Sequence, residues 1–171
     1  LHADVSTHEE YRKHKVRVRY DVHLGEKFYV DTIMVEVRDT SIAAEMDKIA
    51  EDTRLKKGMP FDANILNEER SRITNHMTEN GFFAFNRDFI RYEVDTVRGS
   101  TLVRLKMIVS DYIDPTDNSH CPHRKYRIGD VKYSYDRSTS SPIWLRPNVL
   151  KRANSLIPGD IYRDSNLSDT Y

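Results

Sequence analysis

The feature that most constrains the fold of this chain is an internal repeat with an offset of about a hundred residues. Residues 27–33 (KFYVDTI) align with residues 125–131 (KYRIGDV), and the basic, aromatic and aliphatic positions stay in register. Residues 55–62 (LKKGMPFD) and 156–163 (LIPGDIYR) then recur in the same order at nearly the same offset. Such self-similarity indicates that one structural unit is used more than once.

The first copy begins with the pattern of a strand followed by two helices. Ile33, Val35 and Val37 alternate with polar or exposed-tolerant residues, which predicts a half-buried strand. Apolar residues spaced three and four apart follow Ser41, which predicts a first amphipathic helix with a plausible cap near that residue. Asp62 is the expected cap of a second helix, which should end at Asn80–Gly81, a favourable left-handed terminator.

The first copy ends with the pattern of a β-hairpin. Two runs of alternating apolar and charged residues flank a turn at 98–100. The apolar residues expected to face the core are Ile90, Tyr92 and Val94 on one strand and Val103, Leu105 and Met107 on the other. The unit is therefore predicted to have the order strand, helix, helix, strand, strand.

Incomplete copies are predicted on both sides of this unit. Alternating apolar residues over 16–22 fit a closing strand without its own helices, and residues 126–135 and 149–153 fit a first strand and a short helix. The predicted division is 1–24 for the terminal strand region of a preceding module and 25–112 for a complete module. A linker over 113–123 and the N-terminal part of a following module over 124–171 complete it.

Composition and motifs argue against several classes of function. Lys and Arg together number 27 and Asp and Glu also number 27, so no strongly basic surface for nucleic acid is predicted. Cys121 is the one cysteine, and the cluster His120-Cys121-Pro122-His123 lacks the further ligands that a metal centre needs. Glu68 and Glu69 are interpreted as charged helix surface. We predict no enzyme, no catalytic residue, no cofactor and no metal.

Short glycine and aromatic motifs give the sequence a recognisable resemblance. Gly58-x-x-Phe61 and Gly159-x-x-Tyr162 lie between the two predicted helices of each copy, and Gly81-Phe82-Phe83 follows the second helix. Gly58 is expected where a Cβ would crowd the next helix, and Phe61 is expected to fill the gap between helices and sheet. With the element order, these motifs resemble the POTRA repeats (polypeptide-transport-associated modules) of the BamA/TamA outer-membrane assembly family.

The resemblance implies an α+β fold of tandem βααββ modules, each with a three-stranded mixed sheet covered by two helices. It also implies a non-enzymatic arm on the periplasmic side of the bacterial outer membrane, part of a protein whose C-terminal membrane barrel follows the arm. Its partners would be unfolded outer-membrane protein segments and envelope accessory proteins, with no nucleic acid.

The implied binding site is the edge of a β-sheet, because an edge strand carries unpaired N–H and C=O groups that can pair with another extended chain. The expected edge strand is 89–97, and its expected outward row is Phe89, Arg91, Glu93 and Asp95. Charged residues also protect edges against aggregation, so an edge that is only guarded stays open as an alternative. The alternative function is a structural or protein-interaction module of another envelope complex, such as a division or secretion arm.

Overall fold

The structure is a computed structural model that describes residues 3–96, 98–133, 149 and 153–170. The strands are β1 (Ala3–Arg12), β2 (Lys15–Leu24), β3 (Tyr29–Val37), β4 (Ile90–Thr96), β5 (Leu102–Val109), β6 (Tyr112–Ile113) and β7 (His120–Cys121). The helices are α1 (Thr40–Lys48), α2 (Ala63–Glu79) and α3 (Asp164–Ser168), and a 3-10 turn spans Arg87–Phe89. In these ranges, no helix has the length and apolar character required to cross a bilayer.

The complete first copy folds as a three-stranded sheet with α1 and α2 supplying the other half of its core. The strand order is β3-β5-β4, with β5 parallel to β3 and antiparallel to β4. The α+β prediction and the order βααββ are therefore confirmed. The buried apolar core is Val30, Ile42, Leu55, Leu66, Ile73, Met77, Phe82, Phe85, Ile90, Val103, Leu105, Met107 and Val109.

The helix caps are partly those expected. Asp62 accepts a hydrogen bond from Asn64 N at 2.8 Å and caps α2, as predicted. The cap expected near Ser41 is Asp39, whose Oδ1 accepts a hydrogen bond from the backbone N of Ser41 at 2.9 Å. A carboxylate two residues earlier can satisfy the free N–H groups of the first turn, which leaves Ser41 inside the helix.

Glu69 is buried in the module, although the sequence indicated charged helix surface. Its side chain is 1% exposed. Its carboxylate accepts hydrogen bonds from Thr53 Oγ1 at 2.8 Å, from Arg54 N at 3.1 Å and from Arg72 Nη2 at 2.6 Å. Neighbouring Glu68 lies on the exposed side of α2 and pairs with the Arg54 side chain. Glu69 therefore ties the α1–α2 connection to α2, and only Glu68 is surface.

The N-terminal strand predicted over 16–22 pairs with a strand that the sequence pattern does not predict. β2 forms an antiparallel hairpin with β1 in which ten residues of each strand pair, from Ala3 opposite Leu24 to Arg12 opposite Lys15. β1 was not predicted because polar residues at Thr7 and other positions weaken its alternation. One face of the hairpin carries apolar side chains that are 42–83% exposed, namely Val5, Tyr11, Val16, Val18, Tyr20, Val22 and Leu24.

The C-terminal part of the chain begins with residues 113–123, which are the expected linker. Most of these residues belong to a small hairpin formed by β6 and β7. The strand expected over 126–135 does not form within 126–133. A single bridge joins Arg127 to Ile161, because the described residues offer no further strand with which to build a ladder. Residues 134–135 of the expected strand and residues 150–152 of the helix expected over 149–153 lie outside the described residues.

Candidate functional site: an open sheet edge and a joint between repeats

Among the described residues, no strand pairs with the outer side of β4, whereas the other edge strand, β3, is covered at its start. The start of β3 is covered by the segment that follows α1, since Val30 N donates to Met59 O at 2.9 Å and Gly58 N donates to Val30 O at 2.7 Å. An antiparallel bridge between Tyr29 and Pro60 completes this cover. In the described part of the chain, β4 pairs with β5 and with no other strand.

One hydrogen bond fixes which backbone groups of β4 face the open side. Ser110 N donates to Phe89 O at 2.8 Å, one step beyond the pair formed by Ile90 and Val109. In an antiparallel ladder, hydrogen-bonded pairs alternate with pairs that do not bond each other. Arg91, Glu93 and Asp95 therefore direct their N–H and C=O groups to β5, and Tyr92 and Val94, which lie between them, direct theirs to the open edge.

This alternation separates the expected outward row of side chains, Phe89, Arg91, Glu93 and Asp95, from the backbone groups that face the open edge. Arg91, Glu93 and Asp95 are exposed, but their side chains lie on the open face of the sheet and their backbone groups pair with β5. Glu93 is opposite Lys106 and Asp95 is opposite Arg104, so this face has complementary charges. The unpaired backbone row belongs instead to Tyr92 and Val94. Sequence patterning finds the faces of a strand but not the phase of its hydrogen bonds.

Phe89 is not part of the edge strand. It ends the 3-10 turn, and its ring is half-buried, 5.5 Å from the ring of Phe85 and 4.7 Å from that of His123. His123 is 6% exposed, and its Nε2 lies 3.0 Å from Ser110 O. Phe89 thus packs in an aromatic cluster that also contains the buried His123. His120, by contrast, is exposed beside Asp111.

The helix side of β4 holds a groove at one end of the sheet. Val94, expected in the core, is 41% exposed because the helices do not cover this end. The groove has a volume of about 420 Å³. Its lining residues are Gly25, Glu26, Phe28, Phe61, Val94, Thr96 and Val103.

Farther along β4, Tyr92 packs against α2. The guanidinium carbon of Arg70 lies 5.2 Å from the centre of the Tyr92 ring. Burial raises the pKa of the Tyr92 hydroxyl above its ordinary value. Among the described residues, the Tyr92 hydroxyl, Arg70 Nε and Thr74 Oγ1 are buried without a hydrogen-bond partner. The helix side of β4 thus has buried polar atoms around Tyr92 and an open, largely apolar groove around Val94.

A second structural site is the joint between the complete copy and residues 123–165. The ring of Phe83 meets the rings of Tyr126 and Tyr162 edge to face, with centroid distances of 5.9 and 5.0 Å. Tyr126 N donates to Gly81 O at 2.8 Å. Gly81 has φ of 98°, and a Cβ added there would lie 2.8 Å from Cγ2 of Ile161. Glycine is required here both by the backbone angle and by the close contact.

A buried carboxylate anchors the joint. Glu45 is 3% exposed, and its Oε1 lies 2.8 Å from Lys125 Nζ and 2.9 Å from Lys48 Nζ, while its Oε2 lies 3.2 Å from His76 Nε2. Burial alone would raise the pKa of Glu45, but the hydrogen bonds from Lys125, Lys48 and His76 lower it to about 2. The carboxylate is therefore ionised at neutral pH and binds the second copy through Lys125.

Two further polar contacts cross the joint. His123 N donates to Asp39 Oδ2, so the residue that caps α1 also holds the start of the second copy. Ser165 N and Ser165 Oγ donate to the two carboxylate oxygens of Glu79, each at 2.7 Å. These contacts lie at the end of the helical layer where α1 begins and α2 ends, and they add to the aromatic centre of the joint.

A search of solved structures finds a match for this arrangement of sheet, helices and repeated unit. A crystal structure of BamA POTRA domains 3–5 from Haemophilus influenzae aligns with a TM-score of 0.54 and 13% sequence identity, covering 98% of this chain. The chain has the POTRA fold. It spans 59% of the length of that Haemophilus fragment.

Two other POTRA-containing structures align with lower scores. BamA from Haemophilus ducreyi lacking POTRA domains 1–3 gives a TM-score of 0.40, with 18% identity over 63% of this chain and 19% of that chain. POTRA domains 1–2 of Omp85 from Anabaena give a TM-score of 0.38, with 15% identity over 85% of this chain and 74% of that chain. No protein-family model matches the sequence, and no curated protein matches it.

The physical reason for a glycine at position 58 of this POTRA module differs from the one expected. Gly58 has φ of 83°, and nothing lies within 4 Å of the position that a Cβ would take. The expectation of crowding is therefore wrong, and the glycine is needed for its left-handed backbone. Phe61 packs against the core, as expected, and its N donates to Phe28 O at 2.8 Å.

The Glu45 anchor of the POTRA module gives a prediction that titration can test. We expect the carboxyl carbon of Glu45, followed by NMR, to titrate with a pKa of about 2. In a Lys125→Ala variant the pKa should rise, because one of the hydrogen bonds that stabilise the charged form is lost. A Lys57→Ala variant is the control, since Lys57 pairs with Asp31 instead. Equal Glu45 titration in both variants would contradict the anchor.

Proposed function

We propose that this chain is part of the periplasmic POTRA arm of an outer-membrane β-barrel assembly or translocation protein, and that it binds unfolded client segments by β-strand addition at β4. The observation that carries the proposal is the open β4 edge, where the N–H and C=O groups of Tyr92 and Val94 face outward. The module acts as a scaffold and carries out no chemistry.

Backbone pairing suits a site that receives many different clients. An added strand would hydrogen-bond to Tyr92 and Val94 without regard to its side chains, which gives weak and sequence-tolerant binding. Its side chains would alternate between two surfaces. One set would lie beside Arg91, Glu93 and Asp95 on the charged face, and the other beside Tyr92 and Val94 on the helix side. Alternating polar and apolar residues, which are typical of barrel strands, fit both surfaces.

We further propose the division of the arm that the repeat suggests. Residues 1–24 close a preceding module, 25–112 form a complete module, 113–123 connect it, and 124–171 begin a following module. The repeated motifs and the order of elements support this division. Accessory proteins of the envelope would contact the helical faces, and the C-terminal barrel of the full-length protein would hold the arm at the membrane.

A proline placed on the open row tests the edge directly. We expect Val94→Pro to weaken binding of a ten-residue peptide of alternating Val and Lys by about ten-fold, because it removes one outward N–H donor and places a ring in the path of the added strand. Proline is tolerated at such edge positions, so the fold should persist. Titration of the ¹⁵N-labelled chain followed by NMR measures both binding and fold.

The matched control is Val94→Ala, which shortens the same side chain but keeps the N–H group. It should bind the peptide within about two-fold of the unaltered chain, since backbone pairing provides most of the affinity. Equal binding by the Pro and Ala variants, with the fold intact, would remove β4 as the client site.

The alternative function is a structural spacer or protein-interaction module of another envelope complex, such as a division or secretion arm. The polar and aromatic joint favours it, because a joint fixed at several points suits a rigid spacer. A chain that keeps its joint but shows no saturable peptide binding at β4 would support this alternative.

A further inference from the structure

The two copies share a local backbone pattern that is more similar than their sequences. Phe61 N donates to Phe28 O at 2.8 Å, and Tyr162 N donates to Tyr126 O at 3.0 Å. The neighbouring bonds are also equivalent: Gly58 N to Val30 O matches Gly159 N to Ile128 O, and Val30 N to Met59 O matches Ile128 N to Asp160 O. Position by position, Phe28 therefore corresponds to Tyr126, and Phe61 to Tyr162.

In the second copy, the residues of this backbone pattern and their neighbours contact the first copy. Lys125 reaches the buried Glu45, and Ile161 lies against Gly81. Tyr126 and Tyr162 contact the ring of Phe83, which follows the end of α2. These residues of the second copy therefore contact three groups of the first copy: a carboxylate on a helix, a left-handed glycine and the aromatic ring that follows that glycine.

In the first copy, the corresponding residues are Lys27, Phe28, Pro60 and Phe61, which we call the receiving surface. Lys27 and Pro60 are exposed, and the two Phe rings border the groove of about 420 Å³. Within the described residues, Lys27 has no carboxylate within ion-pair distance, and Phe28 N, the counterpart of the bonded Tyr126 N, has no acceptor. In the second copy, these groups bind Gly81 and Phe83. The corresponding groups of the first copy are unoccupied among the described residues.

We propose that the receiving surface binds the C-terminal end of a helix followed by a left-handed glycine and an aromatic residue, built like residues 77–83. The glycine carbonyl accepts from Phe28 N, the aromatic ring lies against Phe28 and Phe61, and a carboxylate on the neighbouring helical layer pairs with Lys27. This inference rests on the tandem arrangement in the proposed function but not on client binding at β4.

The hairpin of β1 and β2 indicates the direction from which this occupant comes. Ala3 is opposite Leu24, and Leu24 precedes Gly25, which lines the groove. The N-terminal side of β1 is therefore close to the receiving surface. In the complete copy, a short segment separates Phe83 from β4. In the β1–β2 hairpin, β1 occupies the position that β4 occupies in the β4–β5 hairpin. The occupant we propose is a segment of the same polypeptide on the N-terminal side of β1.

A tethered copy of the known occupant tests the proposal. Residues 62–84 are fused to Leu1 of the whole chain through a flexible Gly/Ser linker of about ten residues, which spans roughly 18 Å and gives an effective concentration in the millimolar range. We expect amide exchange at Phe28 to slow at least about ten-fold, because its N–H gains an acceptor. Chemical shifts of Phe61 and Val94 should move as well.

The matched control is the same fusion with Phe83→Ala in the copied segment only. It keeps the helix and the linker, and circular dichroism checks that both fusions gain the same helix content. We expect its Phe28 amide to exchange as in the chain without the fusion. Equal protection in both fusions, or protection in neither, would overturn the proposal. Peptide binding at β4 is measured separately, so loss of the client site would not affect this result.

Discussion

A Glu69→Ala variant should lose about 3–5 kcal/mol of unfolding free energy, the range for breaking a buried and paired charge. The carboxylate is 1% exposed and accepts from Thr53, Arg54 and Arg72. Its removal leaves the Arg54 N–H and the guanidinium of Arg72, which is 22% exposed, without their acceptor. Urea unfolding followed by circular dichroism measures the loss.

Glu68→Ala is the control for this variant, because Glu68 is the neighbouring residue and pairs with Arg54 at the surface. An exposed pair contributes about 0–1 kcal/mol, so the control should unfold almost as the unaltered chain does. Similar losses for the two variants would contradict the burial of Glu69.

The pH dependence of the Glu69 effect has a definite sign. Burial by itself would raise the pKa of Glu69, but its hydrogen bonds, the one from Arg72 first, lower it below the ordinary glutamate value. A lowered pKa contributes stability above the pKa of the unfolded chain, and that stability is lost as the pH falls through the folded-state pKa. The difference between the unaltered chain and Glu69→Ala should therefore be largest near neutral pH and shrink in acid.

The second large effect is expected at the joint. Gly81→Ala should open the contact between the complete module and the second copy, since its Cβ would lie 2.8 Å from Cγ2 of Ile161 at a φ of 98°. The backbone angle alone costs an L-residue roughly 1–2 kcal/mol. Because Tyr126 N bonds to Gly81 O, hydrogen exchange at the Tyr126 amide should accelerate at least about ten-fold.

Gly99→Ala separates backbone strain from contact at the joint. Gly99 also has a positive φ, 78°, but nothing lies within 4 Å of its added Cβ. Both variants should lose stability, yet the Tyr126 amide should stay protected in Gly99→Ala. Equal exchange rates in the two variants would show that Gly81 is needed only for its backbone angle.

The open edge and the fixed joint have complementary consequences for the proposed scaffold role. Polar contacts of Glu45, Asp39 and Glu79 hold the second copy against the helical layer, while β4 stays uncovered on the side of the sheet that those contacts do not involve. A chain built in this way can present a series of sheet edges at set positions. The receiving surface would extend the same connection in the N-terminal direction.

Several features were accessible to sequence reasoning because they depend on local pattern. The spacing of Leu66, Ile73 and Met77 predicted α2, and Asp62 and Gly81 marked its ends. Glu69 was misassigned, although it occupies the same helical stripe as Leu66 and Ile73. A charged residue on an apolar stripe is the signal that could have revealed it, but only if a buried partner such as Arg72 had been considered.

Local sequence patterning is enough to predict the repeat, the order of strands and helices in the complete module, and the faces that carry apolar side chains, since periodicity and turn residues act over a few neighbouring positions. The tertiary structure decided the rest: which residue of β4 bonds to β5, why Phe89 leaves the strand for an aromatic cluster, and how Glu45 meets Lys125. Those outcomes depend on groups far apart in the chain, whose hydrogen bonds and burial are set only when the elements pack together.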